Sequence, residues 1–282
     1  MVLSMKKLLS NMALYTCLLI ITAIWILHVV DDQFKQERKS KYGWVLNIKN
    51  KSFDFVFHGS SRVHNMLNAK LFEEKSKKPT INIGTAGSGL ADNYLLLYLF
   101  LQQNNNRAKT LLLQIDPFSL SSKNSFSDPF HEYIYIPYLP DDEIEKVLLE
   151  HTSYPSYLRW KFLPQSAYLE FNTEYNVDRL FESTGSKLDR TNGYVPNNRS
   201  VFRADSLDYP LIKTPDAADI KYLQSIITLC KKTSTHLVLY SAPIFRYDKH
   251  FKNAEADSII IELAMKNSVR YIDLKMDTAF ND

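Results

Sequence analysis

The sequence predicts an α/β domain in which a five-stranded parallel sheet is covered by helices on both faces, attached to an N-terminal transmembrane helix. Two observations lead to this prediction. Beyond residue 50, short apolar runs rich in β-branched and aromatic residues alternate with segments of helical periodicity. Strands that are separated by helices pair in parallel through right-handed crossovers. An unbroken apolar stretch also lies near the N-terminus.

That apolar stretch runs from Met12 to Val30. At about 1.5 Å per residue it nearly matches a hydrocarbon core of roughly 30 Å. No small-x-small cleavage site follows it, so we expect residues 1–36 to form an uncleaved signal anchor. Lys6 and Lys7 favour a cytoplasmic N-terminus. We therefore expect a single-pass protein of the plasma (inner) membrane, with residues 37–282 on the extracytoplasmic side. The basic residues between 35 and 41 argue mildly the other way.

Charge and cysteine content exclude several classes of function. The chain has 34 basic and 31 acidic residues and a net charge of +3, with no basic stripe, so nucleic acid is not an expected partner. Cys17 lies in the apolar stretch and Cys230 in a predicted helix, which gives no disulfide framework. No cysteine and histidine spacing resembles a zinc site, and we expect no metal and no cofactor.

The predicted strands and helices alternate along the chain. The first half is predicted to contain strand one at about 53–58, a helix at about 63–75, strand two at 80–83, a helix apolar nearly all round at 90–103, and strand three at 110–115. In the second half, Thr214 is predicted to cap a helix, followed by strand four at 236–241, a helix at about 254–267 and strand five at 269–274.

Residues 119–213 are an insertion that is rich in aromatic residues and prolines. A structureless loop of this length would be improbable, so we expect it to have a fold of its own. Two interpretations stay open: an aromatic platform for sugar rings, or a cap that packs on the sheet or the membrane surface.

Two turns follow the first two strands. Gly59-Ser60-Ser61-Arg62 comes directly after strand one, and Gly84-Thr85-Ala86-Gly87 comes after strand two. In an open parallel sheet, ligands bind beyond the carboxyl ends of the strands, where such turns meet. A serine at a strand-to-helix turn lies where backbone N–H groups can stabilise an oxyanion. A plain helix cap is the structural alternative for Ser60 or Ser61.

These turns resemble those of the SGNH/GDSL hydrolase superfamily, in particular its membrane-anchored branch related to polysaccharide O-acetylation. The resemblance covers residues 53–118 and 214–274 and implies a three-layer, flavodoxin-like α/β/α fold. It implies that Ser61, in Gly59-Ser60-Ser61, is the nucleophile and a member of the oxyanion hole. It also implies that Gly87, in the Asn-x-Gly-x-x-Gly turn that starts at Asn82, donates its backbone N–H to the oxyanion.

One departure from the family pattern concerns the oxyanion hole. The family has an asparagine donor after strand three, where this chain has Asp116-Pro117. An ionised aspartate only accepts hydrogen bonds. We expect Asp116 either to orient Arg62 or bind a substrate hydroxyl, or simply to end the strand. Asn82 or Asn93 could then supply the donor.

A second departure concerns the catalytic base. The family's Asp-x-x-His block after strand five is absent from this sequence, which predicts either a missing natural C-terminus or a relative that has lost its catalytic end. His250, in Asp248-Lys249-His250, is a weak substitute. His58 and His64 flank the serine turn, where packing or capping is the expected role.

Two main functions compete. The first is an esterase or O-acyltransferase that acts on a cell-envelope polysaccharide through Ser61, with a carbohydrate substrate and a membrane acyl donor protein as partners. The alternative is a non-catalytic envelope assembly or scaffold protein. A third reading, a phosphate-binding turn at Gly84–Gly89, is weak because this turn lacks both the P-loop ending and the dinucleotide spacing.

Overall fold

The computed structural model describes residues 2–36, 40–120, 131–171, 187–196, 214–243 and 253–275. Within these residues the chain forms one five-stranded sheet in which all neighbouring strands run parallel, in the order β2-β1-β3-β4-β5. The strands are β1 (Ser52–His58), β2 (Thr80–Asn82), β3 (Arg107–Gln114), β4 (His236–Ser241) and β5 (Arg270–Asp273). The predicted α/β class and five-stranded parallel sheet are therefore confirmed.

Helices connect the strands and fill the described part of the insertion. They are α1 (Val2–Gln36), α2 (Lys41–Leu46), α3 (Ser61–Met66), α4 (Ala69–Ser76), α5 (Leu90–Tyr98), α6 (Glu132–Tyr135), α7 (Asp142–His151), α8 (Tyr154–Phe162), α9 (Gln165–Glu170), α10 (Lys187–Arg190), α11 (Ala217–Lys232) and α12 (Ala254–Lys266). A π-helical segment, Leu99–Gln103, continues α5.

Helix α1 contains the apolar stretch near the N-terminus. Residues Met5–Val29 have a mean hydropathy of 2.1 and are long and apolar enough to cross a membrane. Their large apolar side chains are exposed, for example Leu19 at 72% and Trp25 at 66%. The span begins at Met5, seven residues before the predicted Met12, and so includes Lys6 and Lys7.

Helix α5 is the centre of the core. All its residues from Leu90 to Leu97 are buried, which confirms the expected helix that is apolar nearly all round. It packs against α11, whose buried face includes Leu223 and Ile226. Asp92 is also among the buried residues of α5 and therefore needs a partner.

The described part of the insertion packs onto this core. Tyr135, Ile144 and Trp160 are buried, and the hydroxyl groups of Tyr94 and Tyr98 on α5 donate to the carboxylates of Glu143 and Asp141, each across 2.9 Å. The described residues of the insertion are thus largely helical and share the core of the sheet. Residues 121–130, 172–186 and 197–213 lie outside the described part.

Two helix boundaries differ from the prediction. The helix predicted at 63–75 is two helices, because the Asn68 side chain accepts a hydrogen bond from Leu71 N (2.9 Å) and caps a new helix there. The cap predicted at Thr214 is Asp216 instead, whose carboxylate accepts from Ala218 N at 2.8 Å. The residue that accepts the capping hydrogen bond therefore lies two positions after the predicted one.

Candidate functional site

The serine turn lies at the carboxyl end of β1. Ser60 occupies the N-cap position of α3, and Ser61 is the first residue of that helix and is exposed. Gly59 has φ +142°, and a Cβ atom there would come within 2.9 Å of both Gln114 Cβ and Val63 Cγ2. A glycine is therefore required for the chain to turn so sharply, and the turn leaves Ser61 at the surface.

The glycine-rich turn after β2 packs against the serine turn. Thr85 N donates to Gly59 O (3.0 Å), and His64 Nδ1 lies 3.1 Å from Gly84 O. A Cβ atom on Gly84 would come within 2.8 Å of Val63, so this contact also requires a glycine. The two turns thus adjoin each other. Gly87, two residues after Thr85, is exposed and has φ +77°.

The Asn82 side chain connects helix α3 to the glycine-rich turn. Its amide nitrogen donates to Val63 O (2.7 Å) and Leu67 O (2.9 Å), and its amide oxygen accepts from Gly84 N (2.9 Å). Both amide hydrogens are thus committed to backbone carbonyls. The oxyanion role predicted for Asn82 would require one of these bonds to break. Asn93, the other candidate, is buried, and its Oδ1 accepts from Ser88 Oγ (3.2 Å).

A polar network joins the serine turn to the ends of β3 and β4. Ser60 Oγ donates to Gln114 Oε1 (2.8 Å), and Gln114 Nε2 donates to Asp116 Oδ2. Arg62 Nη1 donates to the same Asp116 oxygen (2.6 Å), while Arg62 Nη2 donates to Pro243 O. Asp116 therefore orients the Arg62 guanidinium, which is one of the roles expected for it.

Asp116 is buried in this network. Burial raises the pKa of its carboxyl, and the neighbouring Arg62 guanidinium opposes that rise. The second carboxylate oxygen accepts from Ala242 N (3.3 Å). Because Asp116 accepts hydrogen bonds from Arg62, Gln114 and Ala242, it is an acceptor in this network and not a donor to an oxyanion.

A histidine and an aspartate that sequence reasoning missed lie beside the glycine-rich turn. His131 Nδ1 is 2.5 Å from Asp92 Oδ2, and His131 N donates to Asp92 Oδ1 (3.1 Å). A Cβ atom placed on Gly87 would lie 3.7 Å from His131 Cε1 and 3.8 Å from its Nε2. One signal was available: Asp92 is a carboxylate in a helix that is apolar nearly all round, and a buried carboxylate needs a partner.

The histidines considered from the sequence have other surroundings. His58 is fully buried with Nε2 2.8 Å from Asn93 O, and burial lowers its pKa to about 4. His64 is half-buried against Gly84 O, and burial lowers its pKa as well. The rings of His58 and His64 therefore each contact a backbone carbonyl oxygen, in keeping with the structural role expected for both. Asp248 and His250 lie outside the described residues.

No protein-family model and no curated protein matches this sequence.

Proposed function

We propose that this protein is a membrane-anchored, SGNH-hydrolase-like enzyme that transfers or hydrolyses acyl esters on a cell-envelope polysaccharide. The observation that carries the proposal is the position of Ser61. It is exposed at the start of α3, at the carboxyl end of β1, and the Gly87-containing turn of the neighbouring strand packs beside it. In this proposal Ser61 is the nucleophile.

The oxyanion of the acyl intermediate would be stabilised by backbone amides. In the proposal, the N–H groups of Ser61 and Gly87 come from the two packed turns and face the same oxygen. The positive φ of Gly87 supports this role, because a glycine lets the backbone approach a substrate closely. Arg62 and Asp116 hold the serine helix on the sheet edge through their ion pair.

The proposed family membership includes a three-layer, flavodoxin-like arrangement. The parallel strand order β2-β1-β3-β4-β5 supports it, because the first strand lies inside the sheet, with β2 on one side and β3 to β5 on the other. Helix α4 lies against β2, and α12 lies against β5.

The proposed substrate and location follow from the anchor and from aromatic residues at the site. We place the domain on the extracytoplasmic side of the plasma (inner) membrane, because Lys6 and Lys7 precede the apolar helix. The rings of Tyr42 and Tyr133 lie 5.6 and 6.0 Å from the His131 ring beside Gly87. Aromatic faces suit sugar rings. A membrane protein that supplies acyl groups is the corresponding partner.

One observation favours a second function, that of a non-catalytic envelope assembly or scaffold protein. Asp116 occupies the place of the family's asparagine donor, and its carboxylate is held by Arg62, Gln114 and Ala242. A carboxylate near a developing negative charge opposes ester chemistry. In this alternative, the network serves only to hold the fold.

Labelling by a fluorophosphonate separates the two functions. Full-length protein in detergent is treated with the probe, and Ser61→Ala is compared with the wild type and with Ser88→Ala, a control in the glycine-rich turn. The enzyme proposal predicts covalent labelling of the wild type and of Ser88→Ala, and none of Ser61→Ala. Labelling that persists in Ser61→Ala overturns the nucleophile, and no labelling of the wild type favours the scaffold.

A further inference from the structure

We infer that His131 is the general base for Ser61 and that Asp92 is its positioning residue. This inference rests on the proposed function. It assigns the base to the insertion and the orienting acid to helix α5, rather than to a block after strand five.

The geometry of the pair is that of an oriented imidazole. The Asp92 side chain is fully buried, and its two oxygens contact His131 Nδ1 at 2.5 Å and His131 N at 3.1 Å. This two-point contact fixes both the backbone and the ring of the histidine. With the Nδ1 hydrogen donated to the carboxylate, Nε2 is the nitrogen that exchanges a proton.

The pair lies beside Gly87 of the glycine-rich turn. The ring edge that carries Nε2 faces Gly87, within 3.8 Å of where a Cβ atom would lie. The His131 side chain is 28% exposed to solvent. The same turn contacts the serine turn through Thr85 N and Gly59 O. The imidazole and the serine turn therefore both adjoin the glycine-rich turn, one at Gly87 and the other at Thr85.

The surroundings of the pair contain further titratable groups. Tyr42 on α2 has its hydroxyl 3.4 Å from His131 Nδ1, and Tyr133 packs edge-on against the imidazole. Tyr135 donates to the backbone carbonyl of Asp92 (3.1 Å). Burial raises the pKa of the Asp92 carboxyl, and the hydrogen bonds from His131 oppose that rise. Burial raises the pKa of Tyr42 and that of Tyr135 well above the ordinary tyrosine value, so the Asp92 carboxylate is the charged group that contacts the imidazole.

The proposed step conserves atoms and charge. Ser61 Oγ forms a bond to the acyl carbon while its proton moves to His131 Nε2. The bond to the leaving alkoxide then breaks, and that oxygen takes the proton from Nε2. In the second half, a sugar hydroxyl or water bonds to the acyl carbon while its proton moves to Nε2. The bond from the acyl carbon to Ser61 Oγ then breaks, and that oxygen takes the proton back from Nε2. The Asp92 carboxylate stabilises the imidazolium in both halves.

The test measures the rate of fluorophosphonate labelling of the full-length protein in detergent. His131→Gln removes the base, and we expect the rate to fall by roughly 10²–10⁴-fold. His151→Gln is the matched control, because His151 is a half-buried histidine of the insertion that pairs with Tyr222 (3.1 Å). It should label at the wild-type rate. Circular dichroism of each variant checks that it folds.

Asp92→Asn tests the positioning role of Asp92. It also tests the assignment of His131 if the His131→Gln variant does not fold. Without the carboxylate the imidazolium is less stable, so the pH midpoint of labelling should move to lower pH and the maximal rate should fall. A role in folding alone would not move that midpoint. An unshifted pH profile overturns the assignment of Asp92 and His131.

Failure of this inference is distinguishable from failure of the proposed function. If Ser61→Ala abolishes labelling while His131→Gln labels like the wild type, the nucleophile stands and the base is wrong. If the wild type is not labelled at all, the proposed function fails and the assignment of His131 fails with it.

Discussion

The guanidinium of Arg62 donates to the buried carboxylate of Asp116 across 2.6 Å and so ties the helix that begins at Ser61 to the end of strand β3. Gln114 and the backbone of Ala242 donate to the same carboxylate. One carboxylate therefore connects α3, β3 and the segment after β4. This connection fixes the serine turn at the carboxyl ends of the strands.

Asp116→Asn should destabilise the domain. The Arg62 side chain is only 18% exposed, and the neutral amide would leave its charge poorly compensated. We expect the free energy of unfolding to fall by about 1–3 kcal/mol. Urea unfolding followed by tryptophan fluorescence measures it, since Trp44 and Trp160 are buried.

The matched control is Asp54→Asn, because Asp54 forms an ion pair with Lys109 that is largely exposed to solvent. Exposed pairs contribute little to stability, so no measurable change is expected there. Equal losses in the two variants would contradict a structural role for the Arg62–Asp116 pair.

His58 should make the fold sensitive to acid. Burial disfavours the charged ring and lowers the pKa of His58 from its ordinary 6.5 to about 4 in the folded protein. A base with a depressed folded pKa adds stability above its unfolded pKa, and this stability is lost as pH falls from about 6.5 towards 4.

Relative to His58→Gln, the wild type should therefore lose up to roughly 3 kcal/mol over that pH interval. Urea unfolding at several pH values measures the difference. His236→Gln, at an exposed histidine, is the control. A wild-type minus His58→Gln difference that stays constant from pH 7 to pH 4 would show that His58 is not buried as a neutral ring.

Gly59 and Gly87 should respond differently to alanine. At Gly59 a Cβ atom would come within 2.9 Å of two side chains, so Gly59→Ala should lower stability by roughly 2–4 kcal/mol. At Gly87 the nearest side-chain atom would be 3.7 Å away, and only the positive φ resists the change. Gly87→Ala should cost about 1–2 kcal/mol.

Fluorophosphonate labelling of folded Gly87→Ala should nevertheless fall by roughly tenfold or more, because the change in backbone conformation redirects an oxyanion donor. Unfolding curves and labelling rates of the same samples check both parts. A Gly87→Ala variant that labels at the wild-type rate would argue against Gly87 in the oxyanion hole.

Asn82→Ala should lower the free energy of unfolding. It removes the hydrogen bonds to Val63 O, Leu67 O and Gly84 N from a fully buried position, and we expect a loss of about 2–4 kcal/mol. Gln224→Ala, at an exposed amide side chain on helix α11, is the control. If Asn82→Ala is as stable as the wild type but labels more slowly, its amide acts on the oxyanion instead.

Much of the sheet could be predicted from the sequence because local pattern decides it. Strand β4 spans the predicted His236–Ser241, and the buried helix that begins at Leu90 is where the apolar run placed it. Helix ends were less predictable because several neighbouring polar residues can each serve as the N-cap. Asn68 split one predicted helix, and Asp216 replaced Thr214 as a cap.

The contacts at the candidate site were only partly accessible to sequence reasoning. The Arg62–Asp116 pair was one of the expected roles of Asp116, since both residues follow neighbouring strands. Asp92 and His131 are 39 positions apart and meet because the insertion folds back on α5. No local pattern encodes such a contact, although the charge on an apolar helix signals that Asp92 has a partner.

Peptide mass spectrometry of the full-length protein locates the fluorophosphonate adduct and so identifies the nucleophile. One adduct is expected, on Ser61, and it should be absent from Ser61→Ala. An adduct on Ser60, Ser88 or another residue, with Ser61 unmodified, would contradict this expectation.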